Sequence, residues 1–256
     1  MLFDSIVYGP IHSRRLGVSL GMNLMPVADK LCTFDCVYCE CGFNNPVHQP
    51  KLPTRQEVAK ALEAKLKALT VTPDVITFSG NGEPTLHPEF EGIIADTCVL
   101  RDKYCPNAKV SVLTNSTQLG RAEVVRALRQ ADNRILKLDS AIDRTMQLID
   151  RPVNRQLTVR QIVNWLQQFD RDFTLQTCFL RGEVPCGESF AHIDNTTEDE
   201  LAAWYQAVDE LKPKQIMMYV IDRATPVQTL EKISREQMEM IARPLIDKGF
   251  SVSISA

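Results

Sequence analysis

Cys32, Cys36, Cys39 and Cys41 lie within ten positions of one another in the stretch KLCTFDCVYCECG, residues 30–42. Thiols this close serve as a disulfide framework, a zinc site or the ligands of an iron–sulfur cluster. A structural zinc site is closed by four tetrahedral protein ligands, and a [4Fe–4S] cluster usually takes four cysteines. The triplet Cys32-x3-Cys36-x2-Cys39 supplies three from one tight loop. Three ligands leave one iron open, which adds nothing to electron storage and is useful in catalysis. Cys41 falls outside the triplet and stays open as a fourth ligand or as part of a zinc site.

A second group stands in SGNGEPTLHP, residues 79–88. Gly80 and Gly82 let a backbone come close to a ligand. Glu83 can accept a charge-assisted hydrogen bond from an ammonium. Alone, such a stretch is most often a turn. Placed one strand after a three-cysteine loop, it is specific.

The elements that must position these groups alternate. Capping boxes open predicted helices at Thr54 with Glu57, Thr158 with Gln161 and Thr197 with Glu200. Further helical periods cover 89–105, 121–131 and 234–249. Near-continuous apolar runs at 74–80, 109–115, 134–140, 173–180 and 215–221 read as strands covered on both faces. GVSLGMNL at 17–24 precedes them as a first strand, and FSVSIS at 250–255 is a last short one. Strand–helix repetition is the mark of parallel βαβ units. Six units suit a single domain over 1–256, built as a partial (β/α)6 TIM-like barrel open on one side; a doubly wound sheet is the competitor.

Active sites in such barrels lie at the carboxyl ends of the strands. That selects Asn115 and Ser116 on one strand, Lys137, Asp139 and Ser140 on the next, then Gln176 with Cys178, and Met218, Tyr219 and Asp222. Lys137 and Asp139 share a strand face. A lysine inside a barrel is costly unless paired, so a salt bridge and a role on substrate or cofactor both stand. Arg14 and Arg15 could grip an anionic substrate or lie solvated on the surface.

C-x3-C-x-aromatic-C, with Tyr38 as the aromatic, resembles the radical S-adenosylmethionine (SAM) superfamily. SGNGEPTLHP resembles that superfamily's glycine–glycine–glutamate element, with Asn81 replacing the first glycine. YGPIHSRRLGVSLGMNLMP, CTFDCVYCE, TFSGNGEPTLHP and IDRATPVQTLEKIS together resemble, over almost the whole chain, a subfamily related to the wyosine-type tRNA-modifying synthetases. The resemblance implies that Cys32, Cys36 and Cys39 hold a [4Fe–4S] cluster whose open iron takes the methionine end of SAM. It implies that Glu83 receives the amino group, and that an electron from a flavodoxin or ferredoxin produces a 5′-deoxyadenosyl radical that abstracts hydrogen from a substrate. Tyr38, Gly80, Gly82, Asn115, Ser116, Asp139, Ser140, Gln176 and Tyr219 are the expected cofactor contacts. Asn115 and Ser116 could bind ribose or carboxylate, Asp139 or Ser140 is a partner for ribose hydroxyls, and Lys137 and Asp139 are the catalytic candidates.

The 256 residues carry a formal net charge of −3. That argues against a broadly basic nucleic-acid-binding surface. No signal peptide opens the chain and no apolar run is long enough to span a bilayer, so a cytoplasmic protein with no membrane partner is expected. Disulfides are rare there. Cys98, Cys105, Cys178 and Cys186 then read first as buried thiols; Cys98 and Cys105, seven apart on one helix, are poorly spaced to share an auxiliary cluster, whereas Cys178 and Cys186 could serve as a redox pair or, with Cys41, as its ligands. His87 and His192 read first as satisfied histidines. The polar stretch 181–200 is expected as a loop over the active mouth. A small molecule or short peptide is the expected substrate, with tRNA still open. The competing class is a zinc-containing interaction protein, which would have no use for Glu83.

Overall fold

The computed structural model describes residues 2–13, 15–45 and 50–256, so Arg14 lies outside the described residues. The chain divides into two compact units, one of residues 1–32 and 44–135, the other of residues 33–43 and 136–256.

In the first unit, β1 (Val7–Ser13) runs antiparallel to β2 (Gly17–Asn23). Parallel pairing then links β2 to β3 (Val75–Ser79) and β3 to β4 (Lys109–Thr114). Between them lie α1 (Arg55–Ala68), α2 (Phe90–Tyr104) and α3 (Ala122–Gln130). Leu20, Met22, Ile76, Phe78, Val110 and Val112 are fully buried, as parallel strands covered on both faces require. Leu62 of α1, Ile94 of α2 and Leu128 of α3 are fully buried as well. Strand β5 (Asn133–Lys137) begins in this unit and ends in the other.

The second unit continues with α4 (Asp143–Ile149), α5 (Val159–Leu166), β6 (Thr174–Cys186), β7 (Ser189–Asp194), α6 (Glu198–Leu211), β8 (Gln215–Val220), β9 (Leu230–Lys232), α7 (Arg235–Asp247) and β10 (Val252–Ser255). The first half of β6 pairs in parallel with β8, and β8 with β10. Helix α5 buries Val159, Ile162, Val163 and Leu166, the i, i+3, i+4, i+7 stripe of an amphipathic helix. Trp204 of α6 packs edge-on against Phe179 at 5.2 Å and donates its indole N–H to Thr177 Oγ1 at 3.1 Å.

Four sequence expectations change. The stretch 181–200 is no open loop: β6 continues to Cys186 and turns back as β7. Gly187, at φ 62°, opens the two-residue turn that joins them. Gly182, Val184 and Ile193 are buried, an alternation hidden by the surrounding Gly, Pro and Glu residues. Cys178 and Cys186 therefore stand eight positions apart on one extended strand, about 26 Å, and cannot form a redox pair. Helix α4 was not expected, although Ile142, Met146 and Ile149 carry its apolar spacing. Strand β1 was also missed, because a bulge between Tyr8 and Ile11 breaks its pattern.

The capping boxes at Thr54 and Thr158 close in both directions. The one at Thr197 closes in one only. Its hydroxyl accepts from Glu200 N, but the Glu200 carboxylate turns inward and accepts from Ser140 Oγ at 2.7 Å and from Thr145 Oγ1. Glu200→Ala would strand both hydroxyls and lower the unfolding free energy by about 2 kcal/mol. Glu57→Ala, on an exposed cap of the same sequence pattern, should cost far less. Urea denaturation of the two variants separates them, and equal losses would refute the inward role.

Candidate active site

The first unit builds its part of the site around the turn after β3. Leu31, next to Cys32, forms a parallel bridge with Gly82. Leu31 N donates to Asn81 O at 2.9 Å and Glu83 N donates to Leu31 O at 3.0 Å. A Cβ on Gly82 would fall 1.8 Å from Leu31 O, and φ there is 144°. A Cβ on Gly80, at φ 117°, would fall 2.7 Å from Asn23 Oδ1. The close approach these glycines permit is thus to the chain's own residues, and it anchors the start of the cysteine loop. Asn81 acts as a latch: its side chain donates to Phe3 O and Pro26 O and accepts from Phe3 N, each at 2.8 Å.

Glu83 is 2% exposed. Its Oε1 accepts from Thr85 N at 3.1 Å, Thr85 Oγ1 at 2.5 Å and Thr114 Oγ1 at 2.7 Å. Its Oε2 accepts from Asn115 N at 2.7 Å. Burial pushes the carboxyl above its usual range, and the hydrogen bonds pull it back in part. The group expected to receive an ammonium is also the brace between the turn after β3 and the end of β4. Asn115 Nδ2 reaches Cys32 Sγ at 3.4 Å, while its Oδ1 accepts from Thr117 N and Oγ1. Ser116 is buried in the left-handed region, φ 70°.

The second unit gathers Cys36, Tyr38, Lys137, Asp139, Asp150 and Tyr219. Lys137 Nζ lies 3.0 Å from Cys36 Sγ and 3.2 Å from Asp139 Oδ2, and also donates to Asp150 Oδ1. It sits 4.9 Å from the Phe34 ring centre and 5.1 Å from that of Tyr38. Burial opposes charge on Lys137, but Asp139 and Asp150 more than offset it and hold the ammonium well above its ordinary range. Burial pushes the Asp150 carboxyl upward, with Lys137 pulling it back. Asp139 accepts from the Tyr38 hydroxyl and from Cys178 N at 2.9 Å. Tyr219 donates to the Tyr38 hydroxyl at 3.3 Å.

Asp139 and Ser140, the residues expected to meet ribose, each have partners within the fold. Asp139 belongs to the lysine–tyrosine network, and Ser140 is turned toward Glu200. Gln176 is buried with its Nε2 on Met217 Sδ at 3.7 Å. Asp150 and Asn195 were not foreseen. Asp150 caps the unexpected helix α4. Asn195 holds the Asp139 and Cys178 carbonyls, at 2.8 Å each.

His87 is satisfied, with Nε2 at 2.7 Å from Pro53 O and Nδ1 accepting from Glu89 N. His192 pairs with Glu183 on the exposed hairpin. Cys98 lies on α2 and Cys105 caps its end. Among the described residues no three His, Cys, Asp or Glu side chains converge closely enough to cage an ion. The fit to an iron–sulfur cluster lies in the donor set. Cys32 and Cys36 each have an N–H donor on sulfur, the kind of contact that supports cluster thiolates.

Gly82→Ala should cost the folded protein, whereas Gly187→Ala, facing open space, should leave it folded; circular dichroism reads the difference. Glu83 gives a pH test. Its folded pKa lies above 4.5, so its share of stability is complete below about 4.5 and is lost as pH rises through the raised value. The urea midpoint of the wild type minus that of Glu83→Gln should fall with pH across that window. A flat difference would contradict the burial effect.

Residues 30–187 match the radical SAM superfamily. A UPF0026 protein of Synechocystis sp. is 32% identical over 233 residues, 87% of this chain and 77% of its own length. A protein of Brachyspira hyodysenteriae named GTPase Obg is 30% identical over 251 residues, 97% of this chain but 34% of that protein. The chain also spans 57% of a UPF0026 protein of Helicobacter pylori, at 28% identity over 69% of this chain. Among solved structures, Streptococcus suis SuiB bound to S-adenosylmethionine aligns with TM-score 0.63 at 12% identity over 91% of this chain and 51% of its own. SuiB bound to its precursor peptide SuiA aligns with TM-score 0.59 at 12% identity over 91% of this chain and 49% of its own. TYW1 with a lysine-pyruvate adduct aligns with TM-score 0.63 at 12% identity over 91% of this chain and 74% of its own. These likenesses show the fold to be the partial (β/α)6 barrel expected from the sequence. No helix among the described residues is long and apolar enough to cross a membrane. With more than half its length matched and a relative above 30% identity covered over most of its own chain, this protein belongs to the radical SAM superfamily of S-adenosylmethionine-dependent enzymes.

Proposed function

We propose that Cys32, Cys36 and Cys39 hold a [4Fe–4S] cluster and that the chain cleaves SAM reductively to act on a small molecule or a short peptide. The observation that carries this reading is the cysteine triplet with nitrogen donors aimed at two of its sulfurs. When bound, such a cluster passes one electron to SAM, which yields methionine and a 5′-deoxyadenosyl radical. The residues of the chain do the rest. Asn115 supports the Cys32 sulfur and Lys137 that of Cys36. Glu83 braces the turn that carries the backbone of Gly80, Asn81 and Gly82. Tyr38 is pinned by Asp139 and Tyr219, which fixes its ring beside the loop. A flavodoxin or ferredoxin is the proposed electron donor.

SuiB has been seen with a peptide bound, which supports the peptide half of this reading. The wyosine-type alternative draws on the likeness to TYW1, whose structure holds a bound lysine-pyruvate adduct. Lys137 is paired with two carboxylates.

Anaerobic reconstitution with iron and sulfide, then dithionite reduction with SAM, tests the proposal. About four irons per chain and release of 5′-deoxyadenosine are expected, with both lost in Cys36→Ala. Tight zinc binding with no nucleoside formed would overturn it and favour a zinc-containing interaction protein.

A further inference from the structure

We propose that Lys137 sets the reduction potential of the cluster by holding a fixed positive charge on the sulfur of Cys36; this rests on the reading that Cys36 is a cluster ligand. The Lys137 side chain is only 9% exposed. An ion pair alone would be complete with Asp139 at 3.2 Å and Asp150 in contact. The geometry goes further, placing the same Nζ 3.0 Å from Cys36 Sγ. The Phe34 and Tyr38 rings lie 4.9 and 5.1 Å from the ammonium, so little solvent screens it. Asp150 Oδ1 stands 3.5 Å from the same sulfur. One cation and one carboxylate of opposite effect thus share one thiol.

The potential of an iron–sulfur cluster follows its net charge, the hydrogen bonds to its sulfurs and its solvent exposure. One-electron reduction adds a negative charge. A cation on a ligand sulfur favours the reduced form and raises the potential, and a neighbouring carboxylate lowers it. In a buried site with a low effective dielectric these effects are large. The two carboxylates also hold the ammonium in place beside the sulfur. Asp139 is in turn fixed by Cys178 N and, through its carbonyl, by Asn195. Lys137 is therefore a positioning residue that acts through Cys36.

The test is an electron paramagnetic resonance redox titration of the reconstituted wild type, Lys137→Met and Asp150→Asn, with iron content and urea stability measured in parallel. Lys137→Met should shift the midpoint to lower potential. Asp150→Asn should shift it to higher potential. A roughly tenfold change in the reduced-to-oxidised ratio at fixed poise corresponds to about 59 mV for one electron. A salt bridge that only stabilises the fold would move the urea midpoint and leave the potential unchanged. Full iron content with an unshifted potential in Lys137→Met would overturn the proposal. If Lys137→Met does not fold, Lys137→Gln, which keeps a polar group beside the sulfur and removes the charge, takes its place, and an unshifted potential there overturns the proposal equally. Full iron and an unchanged spectrum in Cys36→Ala would instead overturn the assignment of Cys36 as ligand, a distinct failure.

Discussion

Strands buried on both faces leave no water for the polar groups at their ends, so those groups must satisfy one another. This constraint shapes both units. At the end of β3 it makes Glu83 collect donors from Thr85, Thr114 and Asn115. At the end of β5 it sets Lys137 between Asp139 and Asp150, and just beyond it joins Ser140 to Glu200. Most polar residues that would serve a ligand already serve the fold.

The cysteine loop inherits its position from the same economy. Leu31 is fastened to Gly82 just before Cys32. Farther along, Asp35 N donates to Asp150 O at 2.8 Å and Val37 N to Ile149 O at 2.9 Å. Val37 is fully buried in a cluster with Ile149, Cys178, Leu180 and Val184. Backbone hydrogen bonds and one apolar anchor thus hold a segment that has almost no secondary structure of its own. A loop held this way can present thiols without the help of a disulfide.

The Lys137 group shows how stability and chemistry share residues. A buried ion pair is weak evidence for stability, since desolvation offsets most of its attraction. Here the pair also orients Tyr38, through Asp139, and touches a thiol. A hydrophobic replacement of similar size would save the desolvation cost and lose both of those contacts.

Local pattern alone made much of the chain legible. The strands β2 to β6, β8 and β10, the helices α1 to α3 and α5 to α7, and the capping boxes at Thr54 and Thr158 depend on periodicity and on contacts within four residues, which the sequence carries directly. The cysteine triplet and the SGNGEPTLHP turn were legible for the same reason. Tertiary structure decided the rest. Glu200 obeys the capping pattern yet points inward, because Ser140 and Thr145, distant in sequence, offer it buried donors. Asp150 joins Lys137 only because α4 ends beside the cysteine loop. Asp139 meets Tyr38 across 101 positions of sequence. Spacing along the chain specifies which groups are available. Which of them meet is fixed by the long-range packing of strand ends, where each buried charge takes the partners that the fold brings to it.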